Sequence, residues 1–304
     1  MHNYLISGLH VSSEMELPGA VGQSSPPPVA DVSVRRAAVP TSLGDGAERG
    51  PNWEMDARTV LLRIPRLARL LIAQGREIVV ELHPGATEQD ASAYVLGTAF
   101  GILLHQRGTL VLHGAAVARN GEAIAICGQS GAGKSTLAAA LCRSGATFVT
   151  DDICAVTFNS DRRPLVIPDG RRLKLWQESI EKLDFAEQRG DAVRAGFEKY
   201  FVAPPSIMAR EPLPLRAIYL LRQARPPLQE GIEAIDLAEA MAALDREAYR
   251  PVLRAKMDSI ATAVGQGAMM MGHVKIFRLI RPRGFESLAD TVSALLRHWD
   301  GLAQ

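Results

Sequence analysis

Gly128, Gly133, Lys134 and Ser135 stand at the spacing G-x-x-x-x-G-K-[ST] within AIAICGQSGAGKST, residues 123–136. Each residue type in that pattern has a chemical reason. Glycines admit positive φ, so that successive backbone N–H groups of Ser130, Gly131, Ala132 and Gly133 can converge on a phosphate. A helix beginning at the lysine would aim the positive end of its dipole, and the N–H groups of Ser135 and Thr136, at the same anion. The Lys134 ammonium suits β- and γ-phosphates, and the Ser135 hydroxyl suits the shell of a Mg²⁺ ion. The bland alternative is a glycine-rich strand-to-helix turn that binds nothing. The apolar run Ala123 to Cys127 before the loop and the helical run Leu137 to Cys142 after it favour nucleotide binding.

Seventeen and eighteen residues after Lys134, Asp151 and Asp152 close a short apolar strand. A carboxylate at such a strand end can hold Mg²⁺. A second one beside it faces elsewhere on an extended chain, so it is free to act as general base toward an acceptor hydroxyl. His113, at the end of Leu110-Val111-Leu112, reads by itself as an ordinary core or surface histidine. On a strand adjoining the phosphate loop it would instead orient or tune a carboxylate of the pair. The basic segment Arg171, Arg172 and Lys174 is either a solvated strand face or a source of positive charge for a transferring phosphoryl group. Lys199 and Arg254 are weaker candidates of the same kind.

Stepping outward, the elements that must hold these groups alternate between strand and helix. Tyr4 to Met15, Trp53 to Pro65 and Arg76 to Leu82 read as strand regions. Residues 19 to 51 accumulate Gly, Pro and Ser, including Pro26-Pro27-Pro28, and read as a flexible loop with one strand at Val32 to Val34. Leu67 to Leu71 fits strand or helical turn equally. Thr87 can cap a helix over 87–106 that Gly108 stops. Thr109 to Ala118 and Glu122 to Cys127 form a hairpin around Arg119-Asn120-Gly121, which places an antiparallel neighbour beside the phosphate-loop strand. Downstream, helices are expected over 177–188, 237–245, 252–264 and 285–299, with strands at 199–202, 216–221, 231–235 and 274–280. The division expected is a β-rich N-terminal accessory region, 1–95, and a phosphate-loop domain, 96–304.

The 304 residues are 47% hydrophobic and 22% charged, with a formal net charge of +1. That balance gives no global attraction to nucleic acid or to an anionic membrane. Three cysteines without a spaced framework point to a reducing, cytoplasmic setting and to small buried side chains. The opening MHNYLISGLH lacks the basic and apolar regions of a signal peptide. No run of 18 uncharged apolar residues suggests a membrane span.

The stretch LVLHGAAVARNGEAIAICGQSGAGKSTLAAALCRSGATFVTDDICAV, residues 110–156, resembles the HPr kinase/phosphorylase family over its catalytic domain. It has the histidine, the S-G-x-G-K-S loop and the D-D pair in that family's order and spacing. The resemblance implies an α/β fold with a mixed phosphate-loop sheet related to phosphoenolpyruvate carboxykinase. It also implies ATP and Mg²⁺ as cofactors and phosphate transfer to a serine hydroxyl. By it, Asp151 would be the general base assisted by His113, while Asp152 and Ser135 would bind Mg²⁺. A homo-oligomer is among the partners it allows, since the family includes hexamers.

Two departures stand out. Thr136 replaces the family's glutamate after G-K-S, and Arg171-Arg172-Leu173-Lys174-Leu175-Trp176 stands where E-[IV]-R-G-x-G is expected. The layout, including its L-K-L-W segment, is more similar to the HPr kinase-like enzymes of lasso-peptide biosynthesis, which phosphorylate the terminal serine of a precursor peptide. The expected activity is therefore a serine kinase acting on a peptide or small protein. An HPr-type kinase/phosphorylase, a small-molecule kinase and a nucleotide-gated binding module are its rivals.

Overall fold

The structure is a computed structural model and describes residues 1–24, 29–204 and 208–302. The Pro26-Pro27-Pro28 run and Pro205 lie outside the described residues. The N-terminal eighty residues form a mixed eight-stranded sheet. In the strand Ala68–Ala73, Ala68, Leu70 and Ile72 are fully buried while their neighbours are half-buried, the period-2 pattern of a sheet with one covered face. This settles the ambiguous 67–71 stretch as strand. The stretch 19–51, expected as a flexible loop with one strand at Val32 to Val34, is held more firmly than that in its described part. Val32–Arg36 is an interior strand, parallel to both Leu9–Ser13 and Glu77–Leu82, and Val39 packs on Leu61 and Val79. The strand expected at Val32 to Val34 is present and runs on to Arg36; its parallel pairing on both edges was what residue types did not reveal.

A helical run, Glu88 to Gln106, covers that sheet. The Thr87 hydroxyl accepts from the Asp90 N–H, and Glu88 and Asp90 complement the helix dipole. The run passes through a π-helical segment, Val95–Ala99, a geometry that recurs at functional sites. Residue 95, the expected boundary, thus falls inside continuous helix. One apolar cluster runs from the sheet through this helix to Val111, Ile153 and Tyr249.

The hairpin forms as expected. Leu110–Arg119 pairs with Glu122–Cys127 around Asn120 and Gly121, both at positive φ as a type I′ turn requires. Strand Glu122–Cys127 also lies parallel to Leu213–Gln223, and Lys275–Arg281 continues the parallel direction beyond it. Leu110–Arg119 and Leu213–Gln223 are long enough to serve two neighbours on one edge. Through Ile153–Phe158 and Pro164–Val166 the pairings close into a ring. Alternate residues separate two cores: Ile124 and Ile126 face helices Lys134–Arg143 and Leu288–Leu302, whereas Ala123, Ala125 and Cys127 face Leu237–Arg246 and Ile260–His273. The mixed α/β class holds.

Two expected helices have different limits. The run 177–188 stops as α-helix at Lys182 and resumes as a 3₁₀ turn, Ala186–Gln188. The run 252–264 is two helices, Pro251–Met257 and Ile260–His273, because the Ser259 hydroxyl caps a new start by accepting from the Thr262 N–H. The three cysteines are buried and in no disulfide, and burial pushes the Cys154 thiol up to about 12. Among the described residues, no helix is long and apolar enough to cross a membrane.

The first strand pair is tied to the rest at Asp169-Gly170-Arg171. The Ser7 hydroxyl donates to Asp169 Oδ1 (3.0 Å), and the Val21 N–H donates to the Gly170 carbonyl (2.9 Å). Gly170 has φ +68°, and a Cβ there would lie 1.9 Å from the Leu5 carbonyl oxygen. Gly170→Ala should therefore destabilise the protein by roughly 2–5 kcal/mol through overpacking and left-handed strain. A thermal melt checks this; an unchanged midpoint contradicts the tie.

Candidate functional site

Cys127 ends the phosphate-loop strand, and the chain turns through Gly128 (φ +148°), Gly131 (φ +80°) and Gly133 (φ +93°). Helix Lys134–Arg143 then begins with Gly133 at its N-cap and no side chain capping it. Its first N–H groups are therefore available to an anion, with the helix dipole behind them. Lys134 is buried. Its Nζ donates to the Gly128 carbonyl (2.8 Å), the Gln129 carbonyl (3.1 Å) and His113 Nε2 (3.0 Å). Burial lowers the pKa of this ammonium, and the nearby acidic groups oppose the shift.

The acidic pair sits at the turn between Thr147–Thr150 and Ile153–Phe158. The Thr150 hydroxyl closes the turn by donating to the Ile153 carbonyl (2.6 Å), and Asp152 adopts φ +75°. That left-handed residue sends the two carboxylates to different places. Asp151, only 4% exposed, accepts from the Ser135 hydroxyl (2.7 Å) and from the Lys174 N–H (3.0 Å). Asp152 has a side chain 28% exposed and pairs with Lys174 Nζ (3.0 Å). His113 Nδ1 lies 3.2 Å from the Asp152 carbonyl oxygen and 3.4 Å from its Oδ1. The register Ile153↔His113 between adjacent strands produces that approach. With the Lys134 ammonium at Nε2, Nδ1 is the ring nitrogen that faces Asp152.

These contacts differ from those that the family resemblance implied. His113 was expected at Asp151 and Ser135 at Asp152; His113 lies at Asp152 and Ser135 at Asp151. The cause is the left-handed turn, which a residue pattern does not reveal. Ser135 and Asp151 together present hard oxygen donors, with Asp152 nearby. That set suits Mg²⁺, which binds through one or two carboxylates plus phosphate oxygens and waters.

The remaining candidates divide. Lys174 belongs to the site, since its backbone holds Asp151 and its ammonium holds Asp152. Lys199 lines the phosphate-loop cavity, its Nζ 5.7 Å from the Trp176 ring centroid. Arg171 is corrected: it is buried, paired with Asp169 at 2.6 Å, and bonded to the Leu96 carbonyl, so it braces the fold and is not a phosphate contact. Arg172 is exposed and lines neither cavity of the site. Arg254 is also buried, with Asp258 at 3.1 Å. The Thr136 hydroxyl bonds Ser179 (2.9 Å), tying the loop helix to the next helix.

Two cavities meet here. One, of about 570 Å³, is lined by residues 130–136, both aspartates, Lys174, Trp176, Lys199 and Arg281. The other, of about 920 Å³, borders Asp152 and is lined by Tyr94, Thr98, Glu247, Tyr249 and several arginines. His113, Ser130 and Asp152 line both. Sequence reasoning missed Arg281, whose NH2 lies 3.4 Å from the Ala132 carbonyl over the loop, and Arg222, whose NH1 reaches the Leu221 carbonyl (3.0 Å) beside Gly128. Both sit at the carboxyl ends of strands parallel to the phosphate-loop strand, where ligand-binding residues collect in such sheets. The strand ends were legible, but the parallel pairing was not. Tyr249 was missed as well. Its ring packs 5.7 Å from the His113 ring, in space left by Gly97 and Gly101 on the π-containing helix.

No family model matches this chain, and no curated protein matches it. Among solved structures it is similar to an Hpr(Ser) kinase/phosphatase from Coxiella burnetii, with 10% sequence identity and a TM-score of 0.34. The match covers 64% of this chain and 92% of that one. A likeness at that score carries no argument, and the functional reading rests on the residues.

Burial pushes the Asp152 carboxyl up, but the Lys174 ammonium and His113 outweigh it and hold the group well below the ordinary carboxylate range. The resulting stabilisation is complete above the unfolded-state value of about 4 and is lost as pH falls toward the folded-state value. The stability difference between wild type and Asp152→Asn should therefore be flat from pH 5 to 8 and shrink below about pH 4. Denaturant melts across that range check it; a difference that shrinks between pH 5 and 8 contradicts it.

Proposed function

We propose that this protein is an ATP- and Mg²⁺-dependent serine kinase acting on a peptide or small protein. In its finer form, suggested by the chain's layout, the acceptor is the C-terminal serine of a lasso-peptide precursor. The observation that carries the reading is the His113–Asp152 pair, common to a phosphate-loop cavity and to a separate cleft. A kinase needs one carboxylate that touches both substrates.

In this reading the triphosphate lies along residues 130–136, with Lys134 and Arg281 offsetting charge on the transferred group. Bound Mg²⁺ would supply neutralisation of the phosphate oxygens, held by Ser135 and Asp151. The acceptor hydroxyl enters from the larger cleft and gives its proton to Asp152. Its oxygen bonds the γ-phosphorus as the bond to the bridging β–γ oxygen breaks, and ADP leaves. His113, donating from Nδ1, fixes the Asp152 carboxylate in place. Lys134, on contacting phosphate, has less to give His113 Nε2, so nucleotide occupancy is communicated to the base.

Two variants separate the roles. Asp152→Asn should keep MgATP-dependent thermal stabilisation and lose on the order of 10²–10⁴-fold in transfer rate, the scale of a missing general base. Asp151→Asn should instead raise the Mg²⁺ concentration needed for stabilisation by tenfold or more. The measurements are thermal shift against Mg²⁺ and ³²P transfer from ATP to a Ser-ended precursor peptide. If MgATP stabilises neither wild type nor variant, the kinase reading fails.

A further inference from the structure

The larger cleft carries charge that the phosphate-loop chemistry leaves unused. Its acidic members are already matched: Asp152 with Lys174, and Glu247 with Arg222 (2.9 Å). Three further guanidiniums line it, those of Arg194, Arg246 and Arg250. None has a carboxylate partner among the described residues. Arg250 donates to the neutral Thr98 hydroxyl (2.6 Å), and Arg194 donates to the neutral Tyr94 hydroxyl (3.0 Å). The Arg194 Nε is buried with no hydrogen-bond partner among the described residues. Guanidiniums are rarely gathered in a concave site without a carboxylate or phosphate to recognise.

The same cleft continues into an apolar groove of about 370 Å³, through shared lining residues Tyr94, Thr98, Arg250 and Pro251. The groove's walls are Trp53, Leu62 and Ile64 of the N-terminal sheet and Val252 and Leu253 of the helix starting at Pro251. The π-helical segment contributes Thr98 to both spaces.

We infer that this continuous surface binds an acidic peptide, with carboxylates flanking the acceptor serine held by Arg194, Arg246 and Arg250 and an apolar side chain seated between the N-terminal sheet and helix Pro251–Met257. The inference rests on the kinase reading for what happens at Asp152, and it adds the acceptor's chemistry. Charge complementarity selects an anionic occupant, and the groove beyond the arginines selects a peptide over a small anionic metabolite. It also gives the N-terminal sheet a task, as one wall of the acceptor site.

The test uses the full chain and synthetic twelve-residue peptides with one serine, varied as acidic, neutral or basic around it and with or without a distal Leu or Phe. Binding is read by fluorescence anisotropy of the labelled peptides, and transfer by ³²P from ATP. Acidic peptides with the apolar residue should bind and be labelled at least tenfold better than basic ones. The double variant Arg246→Glu/Arg250→Glu should reverse the preference toward basic flanks. Val252→Asp, at an exposed groove position, should remove only the advantage of the distal apolar residue. Equal binding of acidic and basic peptides, or a charge preference unaltered in the double variant, overturns the inference. Transfer to small hydroxyl metabolites without peptide binding overturns it while sparing the kinase. Charge-selective peptide binding without any transfer sustains it and sinks the kinase reading instead.

Discussion

Two adjacent carboxylates are directed to separate partners in one site by the left-handed conformation of Asp152. A non-glycine residue held there costs about 1–3 kcal/mol. Separate partners offset that cost. Asp151 takes the Ser135 hydroxyl and the Lys174 N–H, while Asp152 takes the Lys174 ammonium and faces His113. Lys174 touches both acids, one through its backbone and the other through its side chain, and so fixes the angle between them. Bonds of this charge-assisted kind are stronger than neutral ones, and they hold most firmly where water is excluded.

The scaffold converts that local geometry into two-sided access. Strand Leu110–Arg119 carries His113 beside the turn, and the segment Glu247 to Tyr249 lies on its other edge, where the His113 N–H donates to the Glu247 carbonyl (2.7 Å) and the Tyr249 N–H donates to the Val111 carbonyl (2.8 Å). That segment forms part of the large cleft's wall. The glycine-rich loop leaves strand Glu122–Cys127 next to that segment, and Gly128 and Gln129 line the large cleft with Glu247. A ring of paired strands beneath anchors both ends of the acidic turn and the start of the glycine-rich loop.

What was legible in the residues was local. The glycine-rich loop, the Asn120-Gly121 turn and the Thr87 cap each work through contacts a few residues apart, so spacing and residue type were enough. The separate contacts of the two acids were not legible, because they depend on one φ angle and on the cross-strand register Ile153↔His113. Arg171 misled for a related reason: a basic residue looks alike in sequence whether it meets phosphate or a buried Asp169. Arg222, Arg281 and Tyr249 were invisible because distant segments bring them to the loop. The helix expected over 252–264 gave no sign of the break at Ser259, which caps a second helix.

In the proposed kinase Asp151 serves the metal and Asp152 the acceptor. A crystal structure with Mg²⁺ and a non-hydrolysable ATP analogue tests it most directly. The account predicts a metal at about 2.1 Å from the Ser135 hydroxyl, with Asp151 bound to it directly or through one water. Asp152 would still face His113 and open toward the larger cleft. A metal ligated by Asp152, with Asp151 turned to His113, would contradict it.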